Sequence, residues 1–149
     1  MQKTSLHLTN IKADVKANVA SALAEDIRSG DISAAIIPRQ HRSQAKLISR
    51  EAGVICGIDW FNESFMQLDS SIAIHWLVAD GDKVILNQTL CELSGNTRHL
   101  LTGERTALNF LQTLSGTATA TATIVNLIKD TGTTLLDTRK TIPGLRSGQ

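Results

Sequence analysis

One stretch of this sequence decides the fold assignment, and it reads Leu135-Leu136-Asp137-Thr138-Arg139-Lys140-Thr141-Ile142-Pro143-Gly144-Leu145-Arg146. The apolar residues Leu135 and Leu136 predict the end of a buried strand. The loop that follows carries cations and small hydrogen-bonding side chains before Pro143 and Gly144 turn the chain. Cations at the C-terminal end of a strand suit the capture of phosphates or carboxylates. Soon after Arg146 the sequence ends where a helix would follow, so we expect the front part of a larger enzyme.

The residues before this stretch predict two helices and then a strand. From Thr97 the apolar side chains share one arc of a helical wheel, and they are Leu100, Leu101, Ala107, Leu108, Leu111 and Leu114. Gly116 is expected to end this helix, and Thr117–Lys129 to form a second one that leads into a strand over Thr133–Asp137. Because a βα barrel begins with such units, we predict an α+β block to about residue 114 and the start of a barrel over residues 115–149.

The N-terminal block mixes helical and strand patterns. Apolar residues at every fourth position from Ile11 to Ile27 predict an amphipathic helix, and Trp60–Leu68 predicts a shorter one. Apolar residues alternate from Ile72 to Val78, which predicts a half-buried strand with His75 on its other face. Asp80-Gly81 predicts a turn of hairpin type, after which a strand returns over Val84–Leu93.

Composition argues against two classes of partner. Aromatic residues make up 3% of the chain and tyrosine is absent, which argues against a stacking platform for single-stranded nucleic acid. The formal net charge of +1 argues against a generic polyanion binder. From Thr97 onward, however, six cations accompany three anions. Because this local excess of positive charge coincides with the motifs, we expect a small anionic ligand and no nucleic acid.

Cysteine, histidine and hydropathy patterns predict neither a metal site nor a membrane partner. Cys56 and Cys91 are too few and too far apart for a zinc site or a disulfide framework, so buried free thiols are expected. The four histidines show no metal-ligand spacing. No apolar segment follows Met1, and none approaches the ~20 residues that a membrane helix requires. We therefore expect a cytoplasmic location.

Glu104 and Arg105 fall on the apolar arc of the helix that begins at Thr97. Glu104 lies near the middle of the arc, where a carboxylate costs free energy unless it is paired and hydrogen-bonded. Arg105 lies at its edge. One interpretation is a structural ion pair, and the other is an arginine held to receive a carboxylate with its planar fork. The residues alone leave both open.

Arg139 and Lys140 also have two interpretations, a solvated loop or a binding site for phosphate. Thr138 and Thr141 favour the binding site, because hydroxyls and backbone amides beside cations make a phosphate cradle. Arg146 is explained equally well as a surface charge.

Two long motifs closely resemble quinolinate phosphoribosyltransferase, the carboxylating nicotinate-nucleotide pyrophosphorylase family of NAD biosynthesis. The first extends from Gly103 to Gln112 and continues with Leu114-Ser115-Gly116, and the second extends from Leu136 to Arg146. Weaker similarities are Glu25-Asp26-Ile27, Gly30-Asp31-Ile32-Ser33, Arg50-Glu51-Ala52-Gly53 and Asp80-Gly81-Asp82.

The resemblance implies a fold and a reaction. The fold is an N-terminal α/β sandwich (hammerhead-like) domain, residues 1–114, followed by the first helix and strand of a truncated α/β barrel, residues 115–149. The reaction joins quinolinate to phosphoribosyl pyrophosphate, with loss of CO2 and pyrophosphate, and forms nicotinate mononucleotide. It uses Mg²⁺, for which this chain is expected to supply no ligand.

The resemblance also assigns roles to residues of a homodimer. Arg105 is expected to bind a quinolinate carboxylate in the partner subunit's site. Thr138, Arg139 and Lys140 are expected to line the chain's own site, where Arg139 takes a carboxylate and Lys140 faces the phosphoribosyl donor. Family members continue past this point with a His-Arg pair, a further lysine, and acidic residues near the metal and ribose. No catalytic residue is therefore assigned here, and we expect the chain alone to be inactive.

Three alternatives remain open. The chain is a non-catalytic fragment that dimerises or regulates, or a paralogue of the same fold tied to molybdenum transport. A third alternative is a carrier module, because Asp80-Gly81-Asp82-Lys83-Val84 resembles lipoyl and biotinyl domains. Those domains need a lysine at an exposed hairpin tip, and the sequence shows no clear match for one.

Overall fold

The computed structural model of the protein describes residues 8–27, 34, 36–138 and 140–148. The helices of this part are α1 (Leu8–Ile27), α2 (Ile58–Met66) and α3 (Thr97–Ile128). The strands are β1 (Arg42–Ile48), β2 (Gly53–Val54), β3 (Ala73–Trp76), β4 (Lys83–Val84) and β5 (Thr89–Asn96). Helices packed with small antiparallel sheets confirm the predicted α+β class.

Strand β5 lies at the centre of the larger sheet and pairs antiparallel with β1 on one side and β3 on the other. Trp76 of β3 lies opposite Cys91 of β5. Ile74 and Trp76 are half-buried while His75 is exposed, so the predicted alternation is confirmed. His75 is a surface residue, as the sequence indicated.

The turn predicted at Asp80-Gly81 forms, but it joins two different sheets. Gly81 has a φ of 94°, and its amide donates to the carbonyl of Ile55 at 2.8 Å. Strand β4 beyond the turn pairs with β2, in a separate two-stranded sheet. The single strand predicted over Val84–Leu93 is therefore wrong. The chain turns again before β5, where the Gln88 side chain accepts from the Ile85 amide at 3.0 Å.

Two apolar clusters form the core, and α3 contributes to both. In the first cluster the ring centroid of Phe61 lies 5.2 Å from that of Phe65 and 5.1 Å from that of Trp76, in the edge-to-face arrangement that aromatic pairs prefer. The second cluster confirms the stripe predicted on α1. Its buried members are Val15, Val19, Leu23, Trp60, Phe110 and Leu114.

Helix α3 passes through Gly116 without a break, so the helix end predicted there is wrong. The Ser115 hydroxyl accepts from the Cys56 amide at 3.0 Å, and the Thr119 hydroxyl accepts from the Val54 amide at 2.9 Å. These bonds attach α3 to the β2 region on both sides of Gly116. They offset the about 1 kcal/mol that a glycine costs within a helix. The domain boundary at residue 114 falls inside α3 and stays a prediction.

Residues Thr133–Asp137 do not form the predicted strand. A strand is stabilised by hydrogen bonds to a neighbouring strand, and no strand in the described ranges pairs with this segment. Leu136 is 76% exposed as a result. The first strand of the expected barrel is therefore present in the sequence pattern but not in this structure.

Candidate functional site

Arg105 extends from the exposed side of α3 to the last turn of α1. Its Nη1 donates to Oδ1 of Asp26 at 3.0 Å. The arginine side chain is 75% exposed and that of the aspartate 23%, so Asp26 holds one end of a guanidinium that otherwise faces solvent. Because guanidinium presents five donors in a rigid fork and no other described residue is bonded to this one, its remaining donors can bind a second carboxylate.

The ion pair lies on the wall of a cleft of about 440 Å³ between α1 and α3. The cleft combines an apolar floor with hydroxyl, amide and charged groups. Its lining residues are Ala22, Glu25, Asp26, Arg105, Thr106, Asn109, Phe110, Thr113 and Leu145. Because the lining holds two carboxylates and one cation, any binding of an anion there depends on the guanidinium donors of Arg105 and not on the charge of the cleft as a whole.

Glu104 does not lie at a buried position, so the expectation that it sits within the apolar arc is wrong. The buried face of α3 contains Gly103, Ala107 and Leu111. Gly103 lies on this face because its lack of a side chain allows Phe65 to approach closely. Glu104 is exposed. Arg105 therefore pairs with Asp26 and not with its neighbour in sequence.

Thr138 and Lys140 lie in an exposed loop after α3. The Lys140 amide donates to the Thr138 hydroxyl at 3.3 Å, and both residues are exposed. The ammonium group of Lys140 is thus accessible to a ligand. Arg139, the remaining residue predicted for this site, lies outside the described residues.

The loop is attached to the N-terminal block a few residues beyond Lys140. Asn18 of α1 donates to the Gly144 carbonyl at 2.9 Å, and Leu145 packs against the second apolar cluster. Leu145 also lines the cleft that holds Arg105. The loop and Arg105 are therefore connected through the cleft wall. In the described part of the chain no hydrogen bond or ion pair joins Arg105 to Thr138 or Lys140.

Two residues of this region were missed as site residues in the sequence. Asp26 belongs to the Glu25-Asp26-Ile27 motif, so the sequence did mark this segment. The motif alone could not show that Asp26 pairs with Arg105. Asn18 gave no signal, because it is a single half-buried polar residue at the edge of the apolar stripe of α1 and belongs to no motif. Only the fold brings Asn18 to the loop.

Asp69 is held by a second hydrogen-bond cluster near the start of α3. Its Oδ1 accepts from the hydroxyl of Ser71 at 2.6 Å and from the Ser71 amide at 2.9 Å, and its Oδ2 lies 2.9 Å from Nδ1 of His99. These hydrogen bonds lower the pKa of Asp69 to about 2, and the bond with the Ser71 hydroxyl has the largest effect, followed by the bond with His99. None of these residues lines the cleft, so we regard the cluster as structural.

Both cysteines are free thiols, as expected. Cys91 is fully buried, and burial raises the pKa of its thiol to about 12. Cys56 is half-buried. Burial has the largest effect in raising the pKa of its thiol, and the negative charge of Asp80 raises it further. Neither thiol is therefore activated as a nucleophile.

The described residues contain no group of three or more His, Cys, Asp or Glu side chains placed to hold a metal ion. Among the helices of the same residues, none is long and apolar enough to cross a membrane.

Comparison with protein families gives a match along most of the chain. Residues 31–115 match the model of the quinolinate phosphoribosyl transferase N-terminal domain. Residues 117–149 match the model of the C-terminal domain of the same family.

Curated relatives carry the corresponding names. A Synechocystis protein named "Probable nicotinate-nucleotide pyrophosphorylase [carboxylating]" is 44% identical over 124 residues, which is 83% of this chain and 42% of the relative. The chloroplastic carboxylating nicotinate-nucleotide pyrophosphorylase of Oryza sativa is 37% identical over 135 residues, which is 89% of this chain and 36% of the relative.

A solved structure has a similar fold. The nicotinate-nucleotide pyrophosphorylase from Francisella tularensis superposes with a TM-score of 0.87 at 49% identity, covering 91% of this chain and 49% of that one. The chain thus spans about half the length of the relatives that it matches or less. With both domain models matched in order, the chain belongs to the quinolinate phosphoribosyltransferase family.

Proposed function

We propose that this chain supplies the N-terminal part of an enzyme that joins quinolinate to phosphoribosyl pyrophosphate and releases CO2 and pyrophosphate. The product is nicotinate mononucleotide. The names of the relatives support this activity, since they are nicotinate-nucleotide pyrophosphorylases and quinolinate phosphoribosyltransferases. They favour it over the molybdenum-transport paralogue and the carrier module.

The observation that carries the proposal is the placement of Arg105. The side chain is 75% exposed yet held at one end by Asp26, so its orientation is restricted while its free donors face outward. If this were a structural ion pair inside the core, the Arg105 side chain would be buried instead of exposed. A restrained, outward-facing guanidinium is suited to a carboxylate of a pyridine dicarboxylate.

Each predicted residue then has one task. Arg105 binds a quinolinate carboxylate in the partner subunit's site of a homodimer. In the chain's own site Arg139 binds the other carboxylate, while Lys140 and the Thr138 hydroxyl face the phosphoribosyl donor. Neutralising the carboxylates lets the dianionic ring approach the electron-poor ribose carbon, because charge stabilisation by fixed donors lowers the barrier.

Mg²⁺ is expected to enter with the phosphoribosyl donor and to neutralise its pyrophosphate. The described residues offer no cluster of metal ligands, so we assign no residue of this chain to the ion. A cytoplasmic location is part of the same proposal, and cell fractionation tests it, since relatives from Oryza and Nicotiana are named as chloroplastic or mitochondrial.

The test uses what we call the assembled enzyme, in which this chain is joined to the part of the Francisella relative that it does not cover. Arg105→Ala and Arg139→Ala subunits are each expected to form inactive dimers. When the two are mixed, half of the sites in a heterodimer carry both arginines if Arg105 acts across the interface, and activity partly returns. If heterodimers form and the mixture stays inactive, Arg105 does not serve the partner's site.

A further inference from the structure

The residues that follow Lys140 are attached to α1 by the side chain of Asn18. Its Nδ2 donates to the Gly144 carbonyl at 2.9 Å, and its Oδ1 accepts from the Trp60 indole at 3.2 Å. Asn18 is half-buried. Because the amide oxygen and the amide nitrogen are both engaged, the orientation of the side chain is fixed.

The carbonyl that Asn18 binds belongs to a closed turn. The Leu145 amide donates to the Ile142 carbonyl at 3.0 Å, and Gly144 has a φ of 85°. Pro143 followed by glycine in the left-handed region is the sequence of a type II turn. The turn is therefore rigid in itself, and the bond from Asn18 fixes its position on the protein.

Apolar contacts also hold the same segment. Leu145 packs against the cluster that contains Trp60 and Leu114. A Cβ added at Gly148 would lie 2.9 Å from a ring carbon of Trp60, so the backbone there runs directly over the indole. Asn18 and Trp60 thus both lie against the segment.

We propose that Asn18 is a positioning residue for the loop that contains Thr138 and Lys140. The proposal rests on the function proposed above for Lys140. The fixed turn begins at Ile142, two residues beyond Lys140. An unattached loop would lose conformational entropy on binding the phosphoribosyl donor. The bond from Asn18 restricts the loop beforehand, which favours donor binding.

A matched pair of substitutions separates the tether from general stability. Asn18→Asp retains the acceptor for the Trp60 indole and removes the donor to Gly144. Asn62→Asp is the control, because Asn62 accepts from the Trp76 indole at 2.8 Å in the same kind of bond. Both variants gain one negative charge and keep an acceptor for an indole, so only the first loses the tether to the loop.

The first measurement is amide hydrogen exchange in the 149-residue chain. Asn18→Asp is expected to speed exchange across residues 140–148 by about fivefold, the factor for the net loss of one hydrogen bond. Exchange there should stay at the wild-type rate in Asn62→Asp. Equal rates in Asn18→Asp and the wild type would overturn the proposal.

The second measurement is steady-state kinetics of the assembled enzyme. Asn18→Asp is expected to raise KM for phosphoribosyl pyrophosphate by about fivefold and to leave KM for quinolinate unchanged, whereas Asn62→Asp changes neither. If both variants impair the enzyme equally, Asn18 contributes only to stability and the proposal is overturned. If the unsubstituted assembled enzyme forms no nicotinate mononucleotide, the proposed function has failed, and the exchange rates still decide whether Asn18 holds the loop.

Discussion

Arg105 and Asp26 form an ion pair between α3 and α1, in which Nη1 of the arginine lies 3.0 Å from Oδ1 of the aspartate. The pair joins the Gly103–Gln112 motif to the Glu25-Asp26-Ile27 motif, which are far apart in the sequence. Since most of the guanidinium faces solvent, the pair orients the arginine more than it stabilises the fold.

Asp26→Asn therefore has a small expected effect on stability. Exposed ion pairs contribute about 0–1 kcal/mol, and the arginine side chain is 75% exposed. Urea unfolding of the 149-residue chain should show a loss of less than about 1 kcal/mol. A larger loss would mean that the pair supports the packing of α1 on α3.

Arg105→Lys is expected to impair the assembled enzyme although it conserves the charge. Lysine lacks the planar fork that binds a carboxylate through two parallel bonds. We expect kcat/KM for quinolinate to fall by a factor equivalent to about 2–4 kcal/mol of transition-state binding. Arg42→Lys is the control, because Arg42 is exposed on β1. An unchanged kcat/KM in Arg105→Lys would argue against a bidentate contact.

Local patterns in the sequence predicted α1, α2 and the half-buried strand β3. The stripe on α1 was predictable because a period near four residues places Val15, Val19 and Leu23 on one face, and all three are buried. The Gly103–Gln112 motif, which contains Arg105, was also recognisable in the sequence. Both predictions depend only on residues that are close together in the chain.

The errors concern residues whose partners are distant in sequence. Gly116 stays helical because Ser115 and Thr119 bond to Cys56 and Val54, which local propensity cannot indicate. Asp26 and Asn18 acquire their roles only when α1 packs beside α3 and the loop. Site residues defined by tertiary contacts therefore require the fold.

Asp69→Asn should change how stability depends on acid pH. Hydrogen bonds from Ser71 and His99 lower the pKa of Asp69 from 3.8 to about 2 in the folded chain. A carboxyl with a lowered folded pKa stabilises the protein above its unfolded pKa, and this contribution is lost as the pH falls through the folded pKa.

Urea unfolding at a series of pH values provides the measurement. Between pH 4 and 2, the wild type should lose stability more steeply than Asp69→Asn, which lacks the titrating group. Asp130→Asn, at an exposed position after α3, is the control and should follow the wild type. Parallel curves for the wild type and Asp69→Asn would contradict the assigned role of these bonds.

The two glycines of α3 should respond to alanine in opposite directions. A Cβ at Gly103 would lie 2.8 Å from ring carbons of Phe65, whereas at Gly116 it would meet nothing within 4 Å. Gly103→Ala should destabilise the chain by about 1–3 kcal/mol through overpacking. Gly116→Ala should stabilise it by about 0.5–1 kcal/mol through helix propensity. Thermal unfolding of both variants tests the pair, and two shifts of the same sign would contradict the packing described for α3.

The 149-residue chain by itself is expected to self-associate through the end of α3 and the segment that follows. Leu127 and Leu136 are each 76% exposed, and Ile124 and Val125 are 45% and 44% exposed. Exposed apolar side chains drive association when they share a patch. Leu127→Lys combined with Leu136→Lys should reduce it, whereas Ile36→Lys combined with Ile85→Lys, the same change in charge at residues 83% and 68% exposed elsewhere, should not. Sedimentation velocity at micromolar concentration is the measurement, and a monodisperse wild-type monomer would show that this surface does not associate.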